Sequence, residues 1–386
     1  MTRAYDVVVI GGGAAGVAAA LAAAARGSRV ALVRAGPGAT ALAAGAWRGP
    51  LPAGTGRALA AAGLVLEPPA GPLPHPWGAL ERAELAAPAQ AAAAIEEGAL
   101  VCGVAGLPGY RPAALVRLWG DAAGARLAAA TLDLGALTPP AGWAPAALAA
   151  ALERDPAPLA EALARAVRDA GARRAILPPV LGLDRAEAVR SALADAAGVP
   201  VGEMLAVPPS LPGLRLDRAL LAAARAAGVE VIAGRAGEPV VRDGTVESVR
   251  VHGASAPESV AAREFVLATG KFAGGGIVAD ERLREPALGC PVWVEHLGAA
   301  FDAPEPLALT RPERAAPQPL LAAGVREDGA GRPVGRRGEV VYRNVRVAGS
   351  IRAGREAAAL GLGHAAADGW EMGERAADAA ASRATG

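Results

Sequence analysis

Residues 5–33 constrain the fold of this chain more tightly than any other stretch. Tyr5–Ile10 (YDVVVI) is a continuous apolar run of strand length, the pattern of a strand buried on both faces. Gly11–Gly16 turns the chain into an alanine-rich helix over Ala14–Arg26, and Arg29–Val33 (RVALV) reads as a second strand. Two strands joined this way form a parallel βαβ unit with a right-handed crossover. Gly11, Gly13 and Gly16 spell GxGxxG between strand and helix. The first glycine allows the tight turn, the second lets backbone approach a pyrophosphate, and the third lets the helix pack closely on the strand. Ala14 and Ala15 open the helix, where free N–H groups and a partial positive charge favour phosphate. Gly11, Gly13, Ala14, Ala15 and Gly16 are therefore candidates for binding a dinucleotide.

The second strand ends in Arg34, where this fold usually carries an Asp or Glu for the ribose hydroxyls. A guanidinium cannot accept those hydrogen bonds, but it can face a phosphate. Arg34 is read either as a cofactor contact or as a solvated charge at a strand end.

With 386 residues the chain suits two intertwined domains better than one small core. Aromatics are only 3% of residues, which leaves few stacking platforms for bases. Lys and Arg (39) balance Asp and Glu (38), so nothing electrostatic predicts a nucleic-acid partner or an anionic membrane. Cys102 and Cys290 stand far apart and form no CxxC pair or thiolate zinc site. The run Ala14–Ala25 is too short to span a bilayer and ends at Arg26-Gly27 like a helix C-terminus. No signal-peptide pattern precedes the first strand. The expectation is a cytoplasmic protein with no direct membrane insertion.

Downstream, Gly49–Pro76 is rich in Pro and Gly and reads as an excursion from the first domain. Ala99–Val104 and Ala175–Leu177 read as strands, and Leu159, Leu163 and Val167 mark one face of a helix between them. Asp217–Ala227 reads as a helix leading to the strand Val229–Ile232. Asp243-Gly244 supplies the turn of a hairpin over Val240–Val251. Glu264–Ala268 is a short buried strand, residues 291–339 are irregular, and a strand at Val345–Ala348 precedes a long helix from about Glu356. This order predicts an α/β chain: a discontinuous Rossmann-like FAD/NAD(P)-binding fold with a second, inserted α/β domain. The cofactor domain is expected over residues 1–50, about 205–290 and about 340–386. The second, for substrate or partner, is expected over about 51–204 and about 291–339.

Leu267–Gly270 (LATG) follows a buried strand and is expected to bring Thr269 and Gly270 against the cofactor, with Gly274–Gly276 keeping backbone close. Gly349 opens a last glycine turn before the closing helix, whose N-terminus would favour negative charge on a reduced cofactor. There is no second GxGxxG, no Walker A pattern, no HExxH and no GxSxG. The dinucleotide motif itself points to FAD.

These stretches carry a family resemblance. VVVIGGGAAGVAAAL at the start, ATALAAGAW (Ala39–Trp47), GLPGYRP (Gly106–Pro112), LPPVLGLDR (Leu177–Arg185) with VPPSLPGLRLDRAL (Val207–Leu220), and LATGKFAGGGIVADERLREPALG (Leu267–Gly289) occur in this order. The closing NVRVAGSIRAG (Asn344–Gly354) is a looser match. Together they resemble the B subunits of anaerobic glycerol-3-phosphate dehydrogenase. The resemblance implies a flavin-dependent oxidoreductase subunit, with sn-glycerol 3-phosphate oxidised to dihydroxyacetone phosphate and electrons passed towards quinone. It implies FMN as the flavin, a catalytic flavoprotein subunit and an iron–sulfur membrane-anchoring subunit as partners, and attachment to the inner face of the cell membrane through them. In ATALAAGAW few polar residues remain, and Thr40 and Gly45 are the positions carried over as cofactor contacts.

Oxidising an alcohol on a phosphorylated substrate needs a base and cations. His364 is the candidate base, and Lys271 and Arg284 are candidate anion holders. Each also reads as an ordinary surface side chain. Two further readings stay open: a flavoenzyme of this fold with another small-molecule substrate, and a non-catalytic assembly subunit.

Overall fold

The computed structural model describes residues 3–137, 144–254, 256–294, 299–300, 309–313, 316, 318–355 and 357–384. Along the chain run β1 (Arg3–Ile10), α1 (Ala14–Ala25), β2 (Val30–Arg34), α2 (Ala53–Ala61), β3 (Ala99–Val104) and β4 (Ala128–Leu132). Then come α3 (Pro145–Arg154), α4 (Ala157–Ala170), β5 (Arg174–Leu177), α5 (Ala186–Ala197), β6 (Val201–Glu203) and α6 (Leu211–Ala226). The chain continues through β7 (Glu230–Ala233), β8 (Arg235–Arg242), β9 (Thr245–His252), β10 (Glu258–Leu267), β11 (Val345–Val347) and α7 (Ala357–Ser382).

The chain divides into two compact units. The first holds residues 1–40, 49–63 and 217–386, and the second residues 41–48 and 64–216. The described residues of 291–339 thus fall with the first unit, where their irregular sequence suggested the inserted one. The reason is β-pairing: the strand Val292–Val294 pairs with Gly324–Val325, and Val325 bridges Arg352. Gly49–Gly63 also stays in the first unit and contains α2, which the Pro/Gly-rich sequence concealed.

In the first unit a seven-stranded sheet runs β7-β2-β1-β10-β9-β8, with β11 also pairing β10. β7, β2, β1, β10 and β11 are parallel, so their C-terminal ends gather on one side. Backbone bonds carry the register past those ends: Gly11 N–H donates to Val33 O, Ala268 N–H to Ile10 O, and Ala348 N–H to Leu267 O. A binding site in such a sheet lies at the strand C-termini. β10, read from sequence as five residues, is ten long and central, because its first half is a polar strand paired to β9. The β8–β9 hairpin turns at Asp243 and Gly244, both left-handed, as the Asp-Gly pair requires.

β1 is buried on both faces. Val8 and Ile10 join the core formed with Ile232, Phe265, Leu267 and Val345. A Cβ on Gly16 would stand 3.4 Å from Val9 Cγ1, which puts Val9 on the face under α1. α1 and α7 cross through small residues: a Cβ on Gly369 or Gly373 would come within 2.0 and 2.2 Å of the Ala15 and Ala19 carbonyl oxygens.

The second unit has a parallel sheet ordered β6-β5-β3-β4. Leu159, Leu163 and Val167 of α4 are all buried in its core, the face their spacing predicted. α6 starts at Leu211, six residues before the expected Asp217. Ser210 Oγ accepts from Gly213 N–H at 3.0 Å, an N-cap that places Pro212 in the first turn, where its missing N–H costs nothing. Glu203 is fully buried and satisfied by Arg215 (2.6 Å), Gln90 Nε2 (2.9 Å) and Leu181 N–H (2.6 Å).

Candidate cofactor site

The C-terminal ends of β1, β2, β10 and β11 bring most of the expected cofactor residues together. Gly11 has φ 115, and a Cβ there would meet Ala268 O at 2.3 Å, so only glycine passes between β1 and β10. Gly16 sits so close to Gly11 O that a Cβ would be 1.7 Å away, the tight helix-on-strand contact its spacing implied. Gly12 and Gly13 N–H donate to no acceptor among the described residues. The first-turn N–H of Ala14 is taken by the buried hydroxyl of Thr40, at 3.0 Å. Thr40 thereby ties the loop after β2 to the start of α1, and its own O–H proton stays free to donate.

From β10, Thr269 and Gly270 complete the strand end. A Cβ on Gly276 would stand 2.6 Å from Thr269 Oγ1 and 2.0 Å from Gly270 O, which folds Gly274–Gly276 onto this turn. Thr269 Oγ1 is buried with no hydrogen-bond partner among the described residues. From β11, Gly349 lies against the helix start, since its Cβ would be 2.6 Å from Ala15 Cβ. Its N–H donates to Asp368 at 2.6 Å. Asp368 also pairs with Arg352, which reaches Glu327 on its other side. Burial opposes the charge on Arg352, but the two carboxylates outweigh it and hold its pKa above the ordinary value. The closing helix does not run on from the glycine turn: a 3₁₀ turn covers Gly349–Ile351, and Gly361 breaks the helix with φ 71 and ψ 160.

Arg34 is neither solvated nor free. Its Nη2 donates to both oxygens of Asp217, at 3.0 and 2.8 Å, and its Nε to Gly36 O. Its stem lies on Gly12, where a Cβ would be 2.7 Å from Arg34 Cδ. The ion pair is 9% and 7% exposed, and Nη1 is buried with no partner among the described residues.

The remaining candidates do not join this cluster. Gly45 belongs to the second unit, where it packs on Pro212 and Gln90. Lys271 is buried, and its ammonium donates to the carbonyls of Leu321 (2.6 Å) and Ala323 (2.5 Å), so it ties two backbone segments instead of presenting an open cation. Arg284 is an exposed partner of Asp280. His364 is exposed on α7, its ring beside Gly49. The three candidate catalytic side chains are therefore spread over separate surroundings.

Sequence reasoning missed Gly12, Asp217, Arg352 and Asp368. Asp217 had a detectable signal, because it shares a helical row with the buried Leu220 and Ala224. The unpartnered donors at Gly12, Gly13, Arg34 and Thr269 fit the phosphates and hydroxyls of a dinucleotide flavin. No group of His, Cys, Asp or Glu among the described residues has a metal-holding arrangement.

The sequence model of the family described as FAD binding domain matches residues 6–63 and 140–362. A protein of Halobacterium salinarum, named as a probable B subunit of anaerobic glycerol-3-phosphate dehydrogenase, is 39% identical over 234 residues, 58% of this chain and 52% of that one. The anaerobic glycerol-3-phosphate dehydrogenase B subunit of Yersinia pestis is 31% identical over 211 residues, 53% of this chain and 46% of that one. The chain spans about half the length of these curated relatives. Among solved structures, 3-ketosteroid delta1-dehydrogenase from Sterolibacterium denitrificans is similar at TM-score 0.42 and 12% identity, over 99% of this chain and 100% of that one.

Proposed function

The chain belongs to the FAD binding domain family of flavin-dependent oxidoreductases, and from that premise we propose that it is the B-type flavoprotein subunit of a glycerol-3-phosphate dehydrogenase. The observation that carries this reading is the similarity to relatives named as that component, in a chain whose strand ends form a dinucleotide turn with unpartnered donors. The substrate is sn-glycerol 3-phosphate and the electrons leave towards quinone. The partners are a second flavoprotein subunit and an iron–sulfur subunit that anchors the complex at the inner face of the cell membrane, and in this first reading the present chain's own flavin takes electrons from the substrate. No helix among the described residues is long and apolar enough to cross a membrane. A bound flavin supplies the two-electron acceptor, which can release electrons singly. The chain's own contribution is positional: Gly12 and Gly13 N–H and the start of α1 hold phosphate, and Thr269 Oγ1 offers a hydroxyl to the cofactor.

A second reading has its own support. His364, Lys271 and Arg284 are each engaged or exposed away from the turn, which favours an electron-carrying or assembly role with the substrate chemistry elsewhere in the complex. Anaerobic titration of the purified flavin-loaded chain with sn-glycerol 3-phosphate separates the readings. Bleaching of the flavin absorbance by this chain alone supports the first. Bleaching only after the catalytic partner is added supports the second, and flavin that stays oxidised in both cases rules out this substrate.

A further inference from the structure

The guanidinium at the end of β2 has one donor too many for its surroundings. Arg34 spends Nη2 on both Asp217 oxygens and Nε on Gly36 O, which leaves Nη1 buried and unpartnered among the described residues. Its side chain is 9% exposed and lies on Gly12, inside the dinucleotide turn, where the N–H groups of Gly12 and Gly13 are also unpartnered among the described residues. Leaving a buried donor unsatisfied costs about 1–3 kcal/mol, and more when it is charged. The arrangement therefore calls for an acceptor outside the described residues. In this fold the end of the second strand faces the ribose of the adenosine half, where a carboxylate normally accepts from the hydroxyls.

We infer that Arg34 and Asp217 form a clamp of reversed polarity, in which Arg34 Nη1 donates to an oxygen on the adenosine side of FAD. Asp217 is the positioning residue: it fixes the guanidinium plane and neutralises its charge, so the pair is buried without net charge. Gly12 is the third part, because a side chain there would meet the Arg34 stem at 2.7–2.9 Å. The clamp distinguishes FAD from FMN, since only FAD carries the adenosine half. This inference rests on the proposed flavin-binding role.

The test is a titration of flavin-free protein with FAD, FMN and riboflavin, followed by flavin fluorescence. Arg34→Met is expected to weaken FAD by ~10- to 100-fold, the range of one charge-assisted hydrogen bond. FMN and riboflavin should stay within about twofold of the wild type, which also shows that the variant is folded. Because Arg34→Met leaves Asp217 buried alone, the double variant Arg34→Met/Asp217→Leu removes both charges and should show the same selective loss. Gly12→Ala should shift FAD in the same direction by displacing the Arg34 stem. Unchanged FAD affinity in both Arg34 variants overturns the clamp. So does an equal loss for FAD and FMN, which would place Arg34 on the flavin side. A wild type that binds neither FAD nor FMN fails at the earlier step and overturns the flavin role itself.

Discussion

Gly16 leaves no space for a methyl group, because a Cβ would stand 1.7 Å from Gly11 O, a backbone atom that cannot rotate away. Gly16→Ala must therefore push α1 off β1, and it is expected to destabilise the chain by roughly 1–3 kcal/mol and to lower flavin occupancy together with the melting temperature. A variant that keeps both would show that the helix start has slack. Glu264 is a different residue-scale case. It is fully buried on β10 between Arg346 and Arg383, and burial raises its carboxyl to about 7 despite both cations. An ordinary glutamate titrates near 4.5. Between these values the folded chain holds a proton that the unfolded chain releases, so this group's contribution to stability falls as pH rises through that window and is level above it. Glu264→Gln should remove that fall. The check is the urea midpoint of wild type and variant at about pH 5 and about pH 8: the gap between the two proteins must change with pH. A constant gap would mean that Glu264 stays ionised throughout.

Among the elements, those with a strict local rule were legible in the sequence. β1, α1 and β2 follow from an apolar run, a glycine turn and a helix of crossover length, and their observed bounds differ from the reading by one or two residues. β3 matches residue for residue, and the apolar row of α4 is buried as its spacing required. The start of α6 was hidden because Pro208, Pro209, Pro212 and Gly213 look like loop, while the Ser210 cap works through one side-chain hydrogen bond. Ser210→Ala is expected to cost about 1 kcal/mol, read as a lower urea midpoint with unchanged slope. The crossing of α1 and α7 was also invisible as a site, although Gly369 and Gly373 stand four apart on one helical face. Replacing either by Val should destabilise by more than the few tenths of a kcal/mol that helix propensity would return, because the Ala15 and Ala19 carbonyls lie about 2 Å from the added carbon. A variant as stable as the parent would mean that the helices separate freely.

For the whole molecule, the discontinuous cofactor fold was readable because βαβ order and glycine placement are sequence-local. Which irregular stretch joins which unit was not, since Val325, within the stretch 291–339, bridges the distant Arg352. The glycine turn was likewise legible through Gly11, Gly13 and Gly16, and Thr40, Thr269 and Gly349, also expected from the sequence, lie at the same strand ends. The catalytic candidates were not legible. A lone His, Lys or Arg has no spacing rule, and the structure leaves His364, Lys271 and Arg284 scattered. Every functional property proposed for the chain depends on cofactor binding at the dinucleotide turn. The most direct test is the absorbance spectrum of the purified chain, with the released cofactor identified by mass. A flavin spectrum with FAD released, or regained on adding FAD, is the predicted result. A colourless chain that takes up no flavin when soaked with FAD would contradict it.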